Sequence, residues 1–181
     1  QKRFDQIDVV STEETRRTYR ELLFTAPGIE EFISGVILFD ETIRQTTHDN
    51  TPFVELLHQK GIVPGIQVDK GTKPLDGFPG EKITKGLDNL RERLVEYREL
   101  GASFAKWRAV ITIGAQIPSG FCISANAQAL ARYAALCQEE GLVPVVEPEV
   151  LMDGDHDIQK CEEVTLSVLE HVYYELANHC V

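Results

Sequence analysis

"SFAKWRAVITIG", residues 103–114, is built like a buried strand, rich in aromatic and β-branched residues. Yet Lys106 and Arg108 stand inside it, and a buried charge is costly unless something pairs with it. Side chains alternate along a strand. Lys106 and Arg108 therefore share one face, and Ala105, Trp107 and Ala109 share the other, where Trp107 is expected to pack on helices. The same alternation puts Glu147 and Glu149 on one face of "LVPVVEPEV", 142–150, and Gln67 and Asp69 on one face of "IVPGIQVD", 62–69. Several strands with polar residues aligned on one face describe a barrel interior near its mouth.

Outward from this strand the chain alternates helix and strand. "GVILF", 35–39, is a fully apolar strand candidate, and helices are expected over 52–61, 87–101, 124–141 and 156–179. "STEE", 11–14, reads as a capping box opening a helix that runs to about Thr25. Residues 70–86, full of Gly and Pro, read as a long loop. About four near-continuous apolar strands, each followed by a helix, predict a parallel sheet in an α/β fold. The sheet is either doubly wound or a (β/α)8 TIM barrel, and the charged strand interiors favour the barrel, because open sheets keep their sites in strand-end loops. Such barrels take about 250 residues. The 181 residues here hold only about half the strands of such a barrel and are expected to form a piece of one, a single partial TIM-barrel domain.

Composition narrows the function. With 43% hydrophobic and 26% charged residues the chain is ordinary for a globular domain. A net charge of −11 gives no footing for nucleic acid or an anionic membrane surface. No apolar run is long enough to span a bilayer, and no signal-peptide pattern follows Gln1. Cys122, Cys137, Cys161 and Cys180 are widely spaced and read as free thiols. Neither G-x-G-x-x-G nor a P-loop motif occurs.

The charged strands carry the chemistry. A lysine kept neutral by a neighbouring cation attacks carbonyls to form a Schiff base, which fits Lys106 beside Arg108. Arg108 can clamp a phosphate, and Glu147 and Glu149 can move protons. Residue types alone thus suggest carbon–carbon bond chemistry on a phosphorylated carbonyl compound. The plainer alternative is a structural ion-pair network. "DGDHD", 153–157, lacks the order of an EF-hand loop and reads as a surface loop whose Asp155 or Asp157 caps the next helix, not as a metal site. Lys70 and the histidines at 48, 58, 171 and 179 read as structural or surface residues.

Together "GVILFDET", "VDKG", "GLDNL", "GASFAKWRAV", "LARYAALCQ", "GLVPVVEPE" and "DGDHD" resemble class I fructose-bisphosphate aldolase over nearly the whole chain. The resemblance implies a (β/α)8 barrel, an imine mechanism with no metal and no cofactor, a phosphorylated sugar substrate, a homotetramer, and a cytoplasmic or plastid setting. It moves the Schiff-base lysine to a sixth-strand L-L-K-P-N-type stretch absent from this sequence. Lys106 then matches a lysine that contacts substrate and stabilises charge as the bond breaks, and Arg108 matches a member of the same polar cluster. Glu147 matches the acid/base of imine formation and hydrolysis, and Glu149 its neighbour. Arg3 and Arg16 match substrate-binding arginines. The resemblance places the first-strand aspartate before Gln1 and the phosphate-binding loops of the last two strands after Val181, which implies a domain over 1–181 truncated at both ends and covering roughly strands 2–5. By itself the chain is then expected to be inactive and prone to aggregate. Gln67 stands where many relatives are expected to have Lys, and a Gln67→Lys variant with an unchanged KM would dismiss any effect of that departure. The rival readings are a non-catalytic scaffold fragment and another Schiff-base barrel, such as a transaldolase or deoxyribose-phosphate aldolase.

Overall fold

The apolar stretches all join one sheet. In the computed structural model, which describes residues 2–181 with side chains from Phe4 onward, the chain runs α1 (Lys2–Asp5), α2 (Glu13–Phe24), β1 (Gly35–Leu38), α3 (Asp40–Ile43) and α4 (Phe53–Gln59). It continues through β2 (Val63–Gln67), β3 (Thr72–Pro74), β4 (Lys82–Thr84), α5 (Leu90–Glu99), β5 (Phe104–Ile111), α6 (Gly120–Glu139), β6 (Val143–Val150) and α7 (Ile158–Asn178). The main sheet has the order β1-β2-β5-β6, and every pair in it is parallel. Strand order follows chain order with no reversal. A doubly wound sheet reverses at its switch point, so this winding is that of a barrel segment.

The helices pack on one side of the sheet. α4 lies on β2, α6 covers β5 and β6, and α7 packs on α6 and β6. On that side Ala105, Trp107, Ala109 and Ile111 are buried, as the alternation predicts. Trp107 stacks on Tyr133 of α6 with ring centroids 5.5 Å apart, and the Tyr133 hydroxyl donates to the Ala105 carbonyl at 2.6 Å. Burying side chains of this size contributes about 1.5–3 kcal/mol each.

The other face is open. Register sets Ile37, Gly65, Phe104 and Val143 in one row, and Gln67, Lys106 and Val145 in the next. The Phe104 ring lies flat over β2: a Cβ built on Gly65 would come within 2.3 Å of it, so only glycine allows this approach. Ile37, Val63 and Val143 are exposed on this face, Val143 by 65%.

Three expectations need correction. The cap of α2 is Thr12, not Ser11. The Thr12 hydroxyl accepts the Thr15 amide at 3.1 Å, and the Thr15 hydroxyl accepts the Thr12 amide at 2.9 Å, so the box is closed by Thr15 rather than Glu14. α6 starts at Gly120 rather than 124, because the Ser119 hydroxyl accepts the Cys122 amide and opens the helix early. The expected loop 70–86 contains the antiparallel hairpin β3–β4. The cap of α7 is Asp157, whose side chain accepts the Lys160 amide at 2.8 Å.

Candidate active site

The site forms where β5 meets β6. Lys106 lies opposite Val145, and Arg108 lies opposite Glu147. Each cation leans toward the carboxyl end of the sheet and meets the acid two residues beyond its register partner. Lys106 Nζ stands 2.7 Å from Glu147 Oε2. This is a contact of opposite charges rather than a directed hydrogen bond, since Glu147 Oε2 has no hydrogen-bond partner among the described residues. Arg108 Nε donates to Glu149 Oε2. That bond holds the Glu149 carboxyl below the usual carboxylate range and raises Arg108 further. The sequence posed a problem of buried charge; in the structure these four side chains are partly exposed on the open face, and each cation is paired across the strand boundary.

β2 adds a third carboxylate. Asp69 Oδ2 accepts the Gln67 amide at 3.1 Å and the Arg108 backbone N–H at 3.4 Å, while Oδ1 accepts the Gly71 amide at 3.1 Å. Arg108 therefore sits between two acids, Glu149 and Asp69.

Of the six residues the sequence nominates, Lys106, Arg108, Glu147 and Glu149 come together here. Arg16 does not join them. It lies on α2 and grips Glu41, just after β1, at 2.5 Å, and its Nη1 donates to the Ser11 hydroxyl at 3.3 Å. Arg20 shares Glu41, also at 2.5 Å. The side chain of Arg3 lies outside the described residues. Lys70 is exposed, and its amide donates to the Lys85 carbonyl at the base of the hairpin. His48 is more than a bare surface residue: its ring meets Glu21 at 2.8 Å and Asp49 at 3.0 Å.

The four cysteines are unpaired. Burial pushes the Cys122 thiol up to about 11 and Cys137 to about 12, so neither is a ready nucleophile. Among the described residues no three of His, Cys, Asp or Glu are grouped as metal ligands, and no helix is long and apolar enough to cross a membrane.

A parallel, singly wound sheet with acid–base pairs at its carboxyl end marks a barrel segment, and the sequence decides which family it belongs to. Residues 1–181 match the family described as fructose-bisphosphate aldolase class-I. The chain belongs to the class-I fructose-bisphosphate aldolases. It is 64% identical over 172 residues to a probable fructose-bisphosphate aldolase class 1 of Xanthomonas campestris, covering 95% of this chain and 52% of the relative. It is 57% identical over 180 residues to the cytosolic fructose-bisphosphate aldolase 5 of Arabidopsis thaliana, covering 99% of this chain and 50% of that one. A solved fructose-bisphosphate aldolase from Plasmodium falciparum superposes with a TM-score of 0.94 at 48% identity, over 97% of this chain and 51% of that one. The chain thus spans about half the length of the relatives it matches.

The open side of this aldolase sheet is accordingly the interior face of a partial α/β barrel. Sequence reasoning placed Asp69 on that face but missed its three hydrogen bonds, one to the turn at Gly71 and one to the neighbouring strand at Arg108. It also missed the hairpin. The one available signal was the pair of short runs "TKP" and "KIT", each with a threonine toward the sheet, on either side of a Gly-Pro-rich turn.

Proposed function

We propose that residues 1–181 are one part of a single barrel domain, supplying its strands two to five, and that the whole protein is a fructose-bisphosphate aldolase. It cleaves fructose 1,6-bisphosphate reversibly to dihydroxyacetone phosphate and glyceraldehyde 3-phosphate through a lysine Schiff base. The reading is carried by the Lys106–Glu147 contact at 2.7 Å on the interior face of a family sheet.

Glu147 acts as the acid/base. When the imine lysine has added to the substrate carbonyl, Glu147 gives a proton to the departing hydroxyl, which leaves as water. It takes the proton back when the imine is hydrolysed. The Lys106 ammonium stabilises the carboxylate so formed, and stabilises the charge that develops as the carbon–carbon bond breaks and its electrons pass to the imine. Arg108 holds Glu149 ionised and in place. Arg3 is assigned to a substrate phosphate and Arg16 to substrate binding, which asks Arg16 to serve Glu41 and the substrate together. The names of the Arabidopsis relatives support a cytoplasmic setting. A homotetramer is the assembly to be checked by native mass.

Glu147→Gln in the whole protein should lower kcat by about 10²–10⁴-fold. It should also slow borohydride trapping of dihydroxyacetone phosphate, with the adduct mapping outside residues 1–181. Near-normal turnover, or an adduct on Lys106, would sink this assignment.

A further inference from the structure

A cleft of about 350 Å³ opens beside the β5–β6 pairs, and part of its wall comes from the hairpin. Gln67, Asp69, Thr72, Lys82 and Arg108 line it. Within that wall Arg108 is held by Glu149 and flanked by Asp69. Gln67 brings no charge, and its amide is occupied by Asp69. Without Lys82, an anionic substrate would meet an arginine already paired with Glu149 and the negative charge of Asp69, in a chain of net charge −11. Lys82 is exposed, and among the described residues no carboxylate pairs with it.

Lys82 is also fixed in place. The buried Asn126 of α6 donates to the Lys82 carbonyl at 2.9 Å and accepts the Thr84 amide at 3.3 Å. The Thr84 hydroxyl donates to the Arg108 carbonyl at 2.9 Å. The backbone that carries Lys82 is thus bolted to α6 and to the strand that carries Arg108, while its ammonium is free.

We propose that Lys82, presented by the β3–β4 hairpin, is a further substrate-binding residue of this aldolase, its ammonium taking a phosphoryl group of the substrate in this cleft. The proposal rests on the aldolase function given above. An ammonium meets phosphate as a compact charge with three donors, which suits a group approaching from a mobile solution ligand.

The test is steady-state cleavage of fructose 1,6-bisphosphate and fructose 1-phosphate by the whole protein and its Lys82→Ala, Lys82→Arg and Lys73→Ala variants. Lys73 sits on the same hairpin but does not line the cleft. Lys82→Ala should raise KM for the bisphosphate roughly tenfold with kcat within about twofold, and Lys82→Arg should recover most of the loss. Lys73→Ala should match wild type. A loss confined to the bisphosphate would put Lys82 on the 6-phosphate, and an equal loss on both sugars would put it on the 1-phosphate. A KM for Lys82→Ala within twofold of wild type, or a loss matched by Lys73→Ala, would overturn the proposal. Wild-type protein that cleaves neither sugar would instead bring down the aldolase reading, and this one with it.

Discussion

Along β5, alternate residues occupy different environments. Ala105, Trp107, Ala109 and Ile111 are buried beneath the helices, whereas Lys106 and Arg108 look across an open face toward Glu147 and Glu149. The helix side is a finished apolar core. The interior side combines ion pairs with uncovered valine and isoleucine. The division teaches that stability and chemistry are carried by different residues of one strand, so substitutions one position apart should act on different measurements.

The largest test of that division is Trp107→Ala. It removes a wholly buried ring from the stack on Tyr133 and should cost about 3–5 kcal/mol in denaturant unfolding. A loss under about 1 kcal/mol would mean that the helix side does not hold the sheet.

Next comes acid, which spares the apolar core and attacks the ionic attachment of α2. The His48 backbone amide, followed by its ring, holds Glu21 down at about 2, and Arg16 foremost holds Glu41 at about 2. Both carboxyls fall below their ordinary value of 4.5. Their stabilisation is therefore complete above pH 4.5 and is lost as pH falls from there toward 2. The melting temperature should drop across that window, and Glu21→Gln should flatten the drop. An unchanged slope in the variant would remove Glu21 from the account.

The smallest effect on stability should come from the interior pair itself. A double-mutant cycle on Arg108→Ala and Glu149→Ala should give a coupling no larger than about 1 kcal/mol, because the side chains are 44% and 37% exposed. A larger coupling would show that the interior face also holds the fold together.

Much of this was readable from the residues. Period-two alternation in 104–111 and 143–150 placed the charges on one face and Trp107 on the other. That inference needs only the pleat. Which cation meets which acid was not readable, because it depends on the stagger between two parallel strands: the facing residues are Arg108 and Glu147, yet the pairs formed are Lys106–Glu147 and Arg108–Glu149. The cap of α2 slipped by one residue because Ser11 and Thr12 are both good caps, and the choice fell to the hydroxyl of Thr15. The hairpin escaped notice since its strands are three residues each. Too short to show a period, they are held by Asn126, which lies 42 residues beyond Thr84 in sequence. Lys82 was hidden with them.

That distant clasp has a bearing on synthesis. A ribosome makes the hairpin well before it makes the asparagine that fastens it, so β3 and β4 emerge with their anchor still unwritten. Their bonds to the sheet and to α6, through the Arg108 carbonyl and Asn126, can form only once β5 and the first turns of α6 have been made. The cleft at this end of the barrel therefore has a wall that is translated early and fastened late, by residues on the far side of the strand on which its charges stand.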